Sequence, residues 1–270
     1  MRRAIAAAIV LAAVGAAVAV GIVLGRKDTE ARCGAGFVAR GARCWAPEGA
    51  CPAPLVTTPH GCDAPDVRVL IPAASIAVGP SDWEAEGRVT SRSVHVQAFR
   101  IDAFEVTVGR WYGDVWRKGP PEEQARAMSG VARDKAEDFC AGHGGRLPTE
   151  DEWMVAAASA MNPPRRYPWG DTGAVCRRAA WGLAAGPCAS GLRGPDTVGA
   201  HVDGDTPLGI HDLAGNVAEW VAAETADGPG IAKGGSWADA LASELRIWAR
   251  LETDPGAQDP RVGLRCAYPP

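Results

Sequence analysis

Two carboxylates on either side of a glycine turn are the strongest chemical signal in this chain. In Gly209–Trp220, GIHDLAGNVAEW, Asp212 and Glu219 supply oxygen donors, and the Gly215-Asn216 turn aims backbone carbonyls inward. The segment carrying Glu219 and Trp220 after that turn reads as a helix. Hard cations such as Ca²⁺ select this mix of carboxylate and carbonyl oxygens. A purely structural arrangement satisfies the same residues, with Asp212 capping the turn and Glu219 paired to an arginine. Arginines are close at hand: Arg246, Arg250, Arg261 and Arg265 gather near the C-terminus, with Trp237 and Trp248 beside them in sequence. Trp237, Arg246 and Arg250 are the candidate ligand-binding residues. Such a cluster can line a groove for an anionic or peptide ligand through bidentate pairing and cation–π contact, or form buried salt bridges with neighbouring loops. The Gly234-Gly235-Ser236 turn lets backbone approach a neighbour or ligand closely. His60, His95, His143, His201 and His211 form no HxxxH or HExxH pair, and no GxSxG, P-loop or GxGxxG stands in a fitting context.

The totals limit the partners. A hydrophobic fraction of 47% over 270 residues can bury a core, which excludes wholesale disorder. Net charge is −4 and no basic run follows residue 27, so nucleic acid is not an expected partner. Ten Trp against four Phe and three Tyr, together with 33 Gly and 21 Pro, point to irregular segments packed around indoles.

The first residues are a targeting segment. Arg2-Arg3 precedes an apolar run from Ala4 to Gly25, closed by Arg26-Lys27. A helix of about 22 residues at roughly 1.5 Å per residue reaches across a bilayer. Residues 1–27 are read as an uncleaved transmembrane anchor, the alternative being a signal peptide with Ala17-Val18-Ala19 as its cleavage site. Either reading places the remainder outside the cytoplasm. Eight cysteines, none in a CxxC pair, agree with an oxidising compartment. The first four form a small repeat: Cys33–Cys44 and Cys51–Cys62 each enclose ten residues. Two knuckles with local disulfides explain this, because so short a stretch cannot bury a core alone. Residues 28–66 are therefore expected as a disulfide-stapled stalk and 67–270 as one globular domain.

Within that domain, Val67–Ile71, Ile76–Val78 and Val94–Phe99 read as strands, and Ile101–Val108 as a continuation of the last. Ser129–Ala141 has the apolar spacing of a helix that Gly142–Gly145 stops. Thr149 and Glu152 have the S/T-x-x-E spacing of a capping box, with Pro148 fixing entry to the helix and Trp153 opening its buried face. Cys176 and Cys188 bracket a Pro- and Gly-rich insertion, and a local disulfide between them is the simplest outcome.

Four strings in order carry a family resemblance: FCAGHGGRLPTEDEW (Phe139–Trp153), YPWGD (Tyr167–Asp171), GIHDLAGNVAEW, and KGGSW…VGLRCA (Lys233–Ala267). Together with IDAFEVTVGRW they resemble the formylglycine-generating-enzyme, or sulfatase-modifying-factor, domain over about 200 residues from Val67 onward. The resemblance implies an irregular, loop-rich α+β domain related to C-type-lectin-like folds. It also implies a Cys140–Cys266 disulfide and a structural calcium held by the side chains of Asp212 and Glu219 and the carbonyls of Gly215 and Val217. The founding member oxidises a sulfatase cysteine with two copper-binding cysteines placed three and eight residues after the GGS serine. Those positions here are Asp239 and Glu244. Carboxylates do not replace thiolates for Cu(I), so copper and that oxidation are not expected. Ser236, Asp239 and Glu244 are then the candidates for a different chemistry, as a harder-metal site or an acid/base pair, or else solvated loop residues. The expectation is an exported, membrane-anchored, non-catalytic module that binds a protein or peptide with calcium as support. The alternative is an extracytoplasmic oxidoreductase of the same family with non-cysteine chemistry, as in siderophore maturation. The two diverge on whether Asp239, Glu244 and the arginines converge in one pocket.

Overall fold

The computed structural model describes residues 30–270 except 48–49, 81–86, 88, 119, 121–122 and 226–227. The segment expected as a membrane anchor lies outside the described residues. Among those described, no helix is long and apolar enough to cross a membrane.

Two small hairpins come first, β1 (Val38–Arg40) with β2 (Arg43–Trp45) and β3 (Val56–Thr58) with β4 (Gly61–Asp63). Each is stapled at its base, by Cys33–Cys44 and by Cys51–Cys62. They do not stand off as a stalk. Phe37, Cys44 and Leu55 are buried in one cluster with Phe104, Val198 and Val217 of the body. Polar contacts cross the same seam: Gly34 N–H donates to the Ala200 carbonyl at 2.9 Å, Thr197 Oγ1 to the Cys44 carbonyl at 2.9 Å, and Ser190 Oγ to the Ala42 carbonyl at 3.0 Å. A knuckle has too few residues to enclose its own apolar side chains, so it buries them against a larger neighbour.

The body then builds two sheets and a hairpin. β5 (Arg68–Ile71), β8 (Phe99–Asp102) and β13 (Ala267–Tyr268) form one sheet in the order β13-β8-β5. β6 (Ala74–Val78) pairs antiparallel with β7 (Arg92–Val96), whose Val94 and Val96 point inward while Arg92, Ser93 and His95 face solvent. The expected strand after Ile101 ends instead at Asp102. The FEVT string is an irregular connection whose Thr107 caps α1 (Val108–Tyr112) by accepting from Arg110 N–H at 3.0 Å.

α2 (Arg133–Gly142) starts later than the sequence pattern suggests, because Ala132 is extended and Arg133 N–H is tied to the Pro255 carbonyl. Cys140 on its inner face is bonded to Cys266, joining this helix to the chain end. α3 (Glu150–Ala157) carries the complete capping box of Thr149 and Glu152, and all five residues from Trp153 to Ala157 are buried. A long irregular stretch follows. It is pinned by Cys176–Cys188 and by packing of Tyr167 and Trp181 around Leu245.

The second sheet is β11 (Arg250–Thr253), β10 (Gly230–Lys233), β9 (Ala218–Trp220) and β12 (Val262–Gly263), in that order. β9 corrects the expected helix at Glu219-Trp220. Its three residues are buried; Glu219 and Trp220 pair antiparallel with β10, and Ala218 and Glu219 pair parallel with β12. Extended pairing within the sheet, rather than a solvent-facing helical turn, is what satisfies those backbone groups.

Candidate functional site

The Gly209–Trp220 string brings together a buried polar cluster. Asp212, Gly215 and Asn216 all have left-handed backbone, with φ of 54°, 83° and 55°. A Cβ at Gly215 would lie 2.6 Å from the Ala180 carbonyl oxygen, which is why only glycine serves there. The turn delivers Asn216 to Glu105: Asn216 Nδ2 donates to Glu105 Oε2 at 2.6 Å, and Val217 N–H to Oε1 at 3.0 Å. Asp212 Oδ2 accepts from Gly199 N–H. Glu219 takes a fork from Arg265, Nη2 to Oε1 at 2.6 Å and Nε to Oε2 at 2.7 Å, and a third bond from Trp153 Nε1 at 2.7 Å. The remaining Arg265 donors go to the carbonyls of Asp102, Ala103 and His211, so all five are used.

The electrostatics follow from burial. Glu105 is held well above the usual carboxylate range by loss of solvent and by the nearby charges of Asp212 and Glu219. Burial also raises Glu219, against the pull of Arg265. Burial disfavours the charge of Arg265, but Glu219, Glu105 and Asp212 together keep its guanidinium raised. Three carboxylates face one guanidinium, which leaves an acidic surplus in a nearly solvent-free place.

Of the calcium set that the resemblance supplies, Glu219 has both oxygens engaged by Arg265 and Trp153. Asp212 retains an uncommitted oxygen, and with the Gly215 and Val217 carbonyls it offers the hard donors calcium takes. Glu105 is the member that sequence reasoning missed. Its signal was a lone acid inside the otherwise apolar and hydroxyl-bearing Phe104–Val108 run.

The GGS turn has φ of 96° at Gly234 and 70° at Gly235, and a Cβ on Gly235 would meet the Glu244 carbonyl oxygen at 2.7 Å. Ser236 is fully buried. Asp239 caps it locally, accepting from Ser236 N–H at 2.7 Å and from its Oγ at 2.9 Å through the same Oδ2. Glu244 sits half-buried in a short 3₁₀ turn. Trp237 is not a groove residue. It is buried with Leu183 and Leu192 and donates to the Pro260 carbonyl at 3.2 Å.

The four arginines separate. Arg246 is buried between the rings of Tyr167 and Trp248, 6.0 and 5.8 Å from their centroids. Arg250 lies 3.8 Å from Glu150 and from Glu252, Arg261 pairs with Asp259, and Arg265 with Glu219. Among the described residues one His/Cys/Asp/Glu group is close enough to share an ion, Cys44 with Asp196 and His201, but its sulfur is bonded to Cys33.

Two cavities meet over α3. One of about 300 Å³ is mostly apolar and another of about 950 Å³ is more polar; Val78, Met154 and Trp248 line both. Arg250 borders the larger one, whereas Asp239 and Glu244 border neither.

The sulfatase-modifying factor enzyme 1-like domain family matches residues 56–269, most of the chain. This chain belongs to that family. The inactive C-alpha-formylglycine-generating enzyme 2 of Bos taurus is 33% identical over 147 residues, covering 51% of this chain and 48% of that protein. The hercynine oxygenase of Mycolicibacterium thermoresistibile is 32% identical over 157 residues, covering 48% and 33% respectively. The chain thus spans half or less of the length of these curated relatives. Among solved structures, PvdO from Pseudomonas aeruginosa superposes with a TM-score of 0.60 at 19% identity, over 82% of this chain and 100% of that one. Treponema denticola variable protein 1 does so at 0.61 and 19%, over 75% and 95%. At such identities the likeness is one of fold alone.

Proposed function

We propose that this family member is a non-catalytic protein- or peptide-binding module of an oxidising, extracytoplasmic compartment. One observation carries the reading. At the position three residues after the GGS serine, Asp239 is spent on Ser236, which it holds through two hydrogen bonds. A carboxylate used to close its own turn is not poised over a substrate. The arginines support the same reading, since each is directed to a different partner and none converges with Asp239 and Glu244 on one pocket. Similarity to a bovine protein named as inactive agrees. All eight cysteines are in disulfides, which supports export and leaves no thiolate for copper. Membrane anchoring through residues 1–27 belongs to this proposal as well.

Calcium enters in a narrower form than the family pattern suggests, on Asp212 and the carbonyls of Gly215 and Val217. Its role would be to balance the acidic surplus around Glu105. The test uses the full chain, purified in detergent from an oxidising host and assayed with copper for oxygen-dependent oxidation of a cysteine-containing peptide. No turnover is expected, and turnover would overturn the reading in favour of an oxidoreductase. Melting the same preparation with calcium and with EGTA should give a higher midpoint with calcium; identical midpoints would remove calcium from the proposal.

A further inference from the structure

We propose that the two-lobed cleft over α3 seats an extended peptide that places an apolar side chain beside a carboxylate. The proposal rests on the binding-module reading and names where and what that module binds.

The two lobes divide the work. The smaller is lined mostly by apolar side chains, among them Ile76, Val78, Met154 and Ile247, with Arg165 and Asp171 also in its wall. At about 300 Å³ it lies at the low end of ligand-site volumes, which suits one large apolar group rather than a whole ligand. The larger lobe, about 950 Å³, has room for the flanking residues.

Charge in the larger lobe is arranged unevenly with depth. The guanidinium side chains Arg92, Arg146 and Arg250 are 44%, 51% and 43% exposed, while the carboxylates Glu150 and Glu152 are only 13% and 12% exposed. Asp151, 36% exposed and paired with Arg92, and Glu224 are the accessible carboxylates in the lining. The mouth thus presents three guanidinium groups beside two carboxylates, with Glu150 and Glu152 set deeper. Two of the guanidinium groups are already committed, Arg92 to Asp151 and Arg146 to both oxygens of Glu152 at 2.6 Å. Arg250 is different. Among the described residues its side chain has only the two ion pairs at 3.8 Å, too long to be hydrogen bonds. Its planar fork is left to take a carboxylate bidentately.

Trp248 joins the two halves of this recognition, since it lines both lobes and precedes Arg250 by two residues. Its position is fixed from behind. Arg246 stacks against its ring at 5.8 Å, and its carbonyl accepts from buried Lys233 Nζ at 3.3 Å. A platform already held in place loses little freedom on binding. Apolar lobe, indole wall and a guanidinium held only by two long ion pairs thus lie along one cleft. The carboxylate can come from an Asp or Glu side chain or from a peptide C-terminus, since both present the same two oxygens.

The experiment measures fluorescence anisotropy of the full chain with fluorescein-labelled decapeptides. Each carries one Leu or Phe, followed within three residues by Asp, by Lys, by a free C-terminus or by an amidated C-terminus. Asp or free-terminus peptides are expected to bind at least tenfold more tightly than the Lys and amidated ones, and which of the two binds identifies the source of the carboxylate. Arg250→Ala should weaken binding roughly tenfold or more, with Arg250→Lys intermediate because it keeps charge without the fork. Trp248→Ala should weaken it as well, and Lys135→Ala, on the exposed face of α2, should leave it unchanged. Far-ultraviolet circular dichroism and melting establish that each variant is folded. Binding that ignores Arg250 and Trp248 would overturn the cleft assignment while leaving the module reading intact. So would failure of every anionic peptide to bind below about 1 mM. Oxidation of a cysteine peptide would instead overturn the reading beneath it.

Discussion

Lys233, the residue just before the GGS turn, shows how far burial shapes individual groups in this protein. Its ammonium is fully buried, 3.2 Å from Glu150 and 5.8 Å from the centre of the Trp153 ring. Burial lowers its pKa from the ordinary 10.5 to about 8, with Glu150 opposing the shift. Between those values the unfolded chain binds a proton that the native protein has released. Stability therefore rises with pH across roughly 8 to 10.5, and the burial penalty is fully felt below pH 8. The whole span is worth about 3 kcal/mol. Urea denaturation of the wild type and of Lys233→Met at pH 7 and pH 9.5 should show the wild type gaining about 2 kcal/mol on the variant at the higher pH. An unchanged difference would mean the ammonium remains charged in the fold. At this scale the sequence was legible only in outline. The acidic turn of Asp212 and Glu219 was visible as a donor set, but the residue that engages Glu219 is Arg265, 46 positions away. Nothing in the local pattern chooses between that arginine and a cation.

Secondary structure was legible where a cap or a covalent bond marked it. Thr149 and Glu152 announce α3 because the reciprocal bonds between side chains and backbone need that spacing, and both bonds form, at 3.1 and 2.9 Å. β9 was not legible. Three residues carry no period, and Ala218–Trp220 is extended only because β10 and β12, from later in the chain, hold both its edges. The disulfides bear on how such short elements stay assembled. Cys140–Cys266 closes a separation of 126 residues between α2 and the segment before β13, whereas Cys176–Cys188 closes 12 within one loop. On the chain-entropy account the first is worth about 5 kcal/mol and the second about 3. The paired alanine variant at 140 and 266 should therefore lose more stability in denaturant than the pair at 176 and 188. It also empties a fully buried site beside Trp220 and Leu264, which adds a cavity cost. The reverse order would show that the irregular loop, and not the sheet, is the element that most needs its staple.

At the scale of the molecule, the decisive feature is that the disulfide knuckles belong to the body. Their internal repeat is plain in the sequence and local disulfides are its simplest reading, while the connectivity itself, Cys33–Cys44 and Cys51–Cys62, comes from the structure. Their docking is hidden, since the hydrogen bonds across the seam use backbone groups of Gly34, Ala42 and Cys44, and no local pattern says that Phe37 and Leu55 face the body. Docking has an energetic consequence for the family domain itself. Phe104, Val198 and Val217 are buried partly by Phe37 and Leu55, and Val217 directly follows Asn216 of the acidic cluster. Removing residues 1–66 would expose that face and strip Asp196 Oδ1 of its bond from Cys44 N–H. Loss of a Phe-sized contact alone costs about 3–5 kcal/mol. At about 2–4 °C per kcal/mol for a domain of this size, the 67–270 fragment should melt at least 6 °C below the longer protein. Hydrogen exchange should then locate the loosening at 196–200 and 217, rather than at α3 and the cleft above it. A fragment that melts with the intact chain would make the knuckles an appendage, and the body's core would have to close without them.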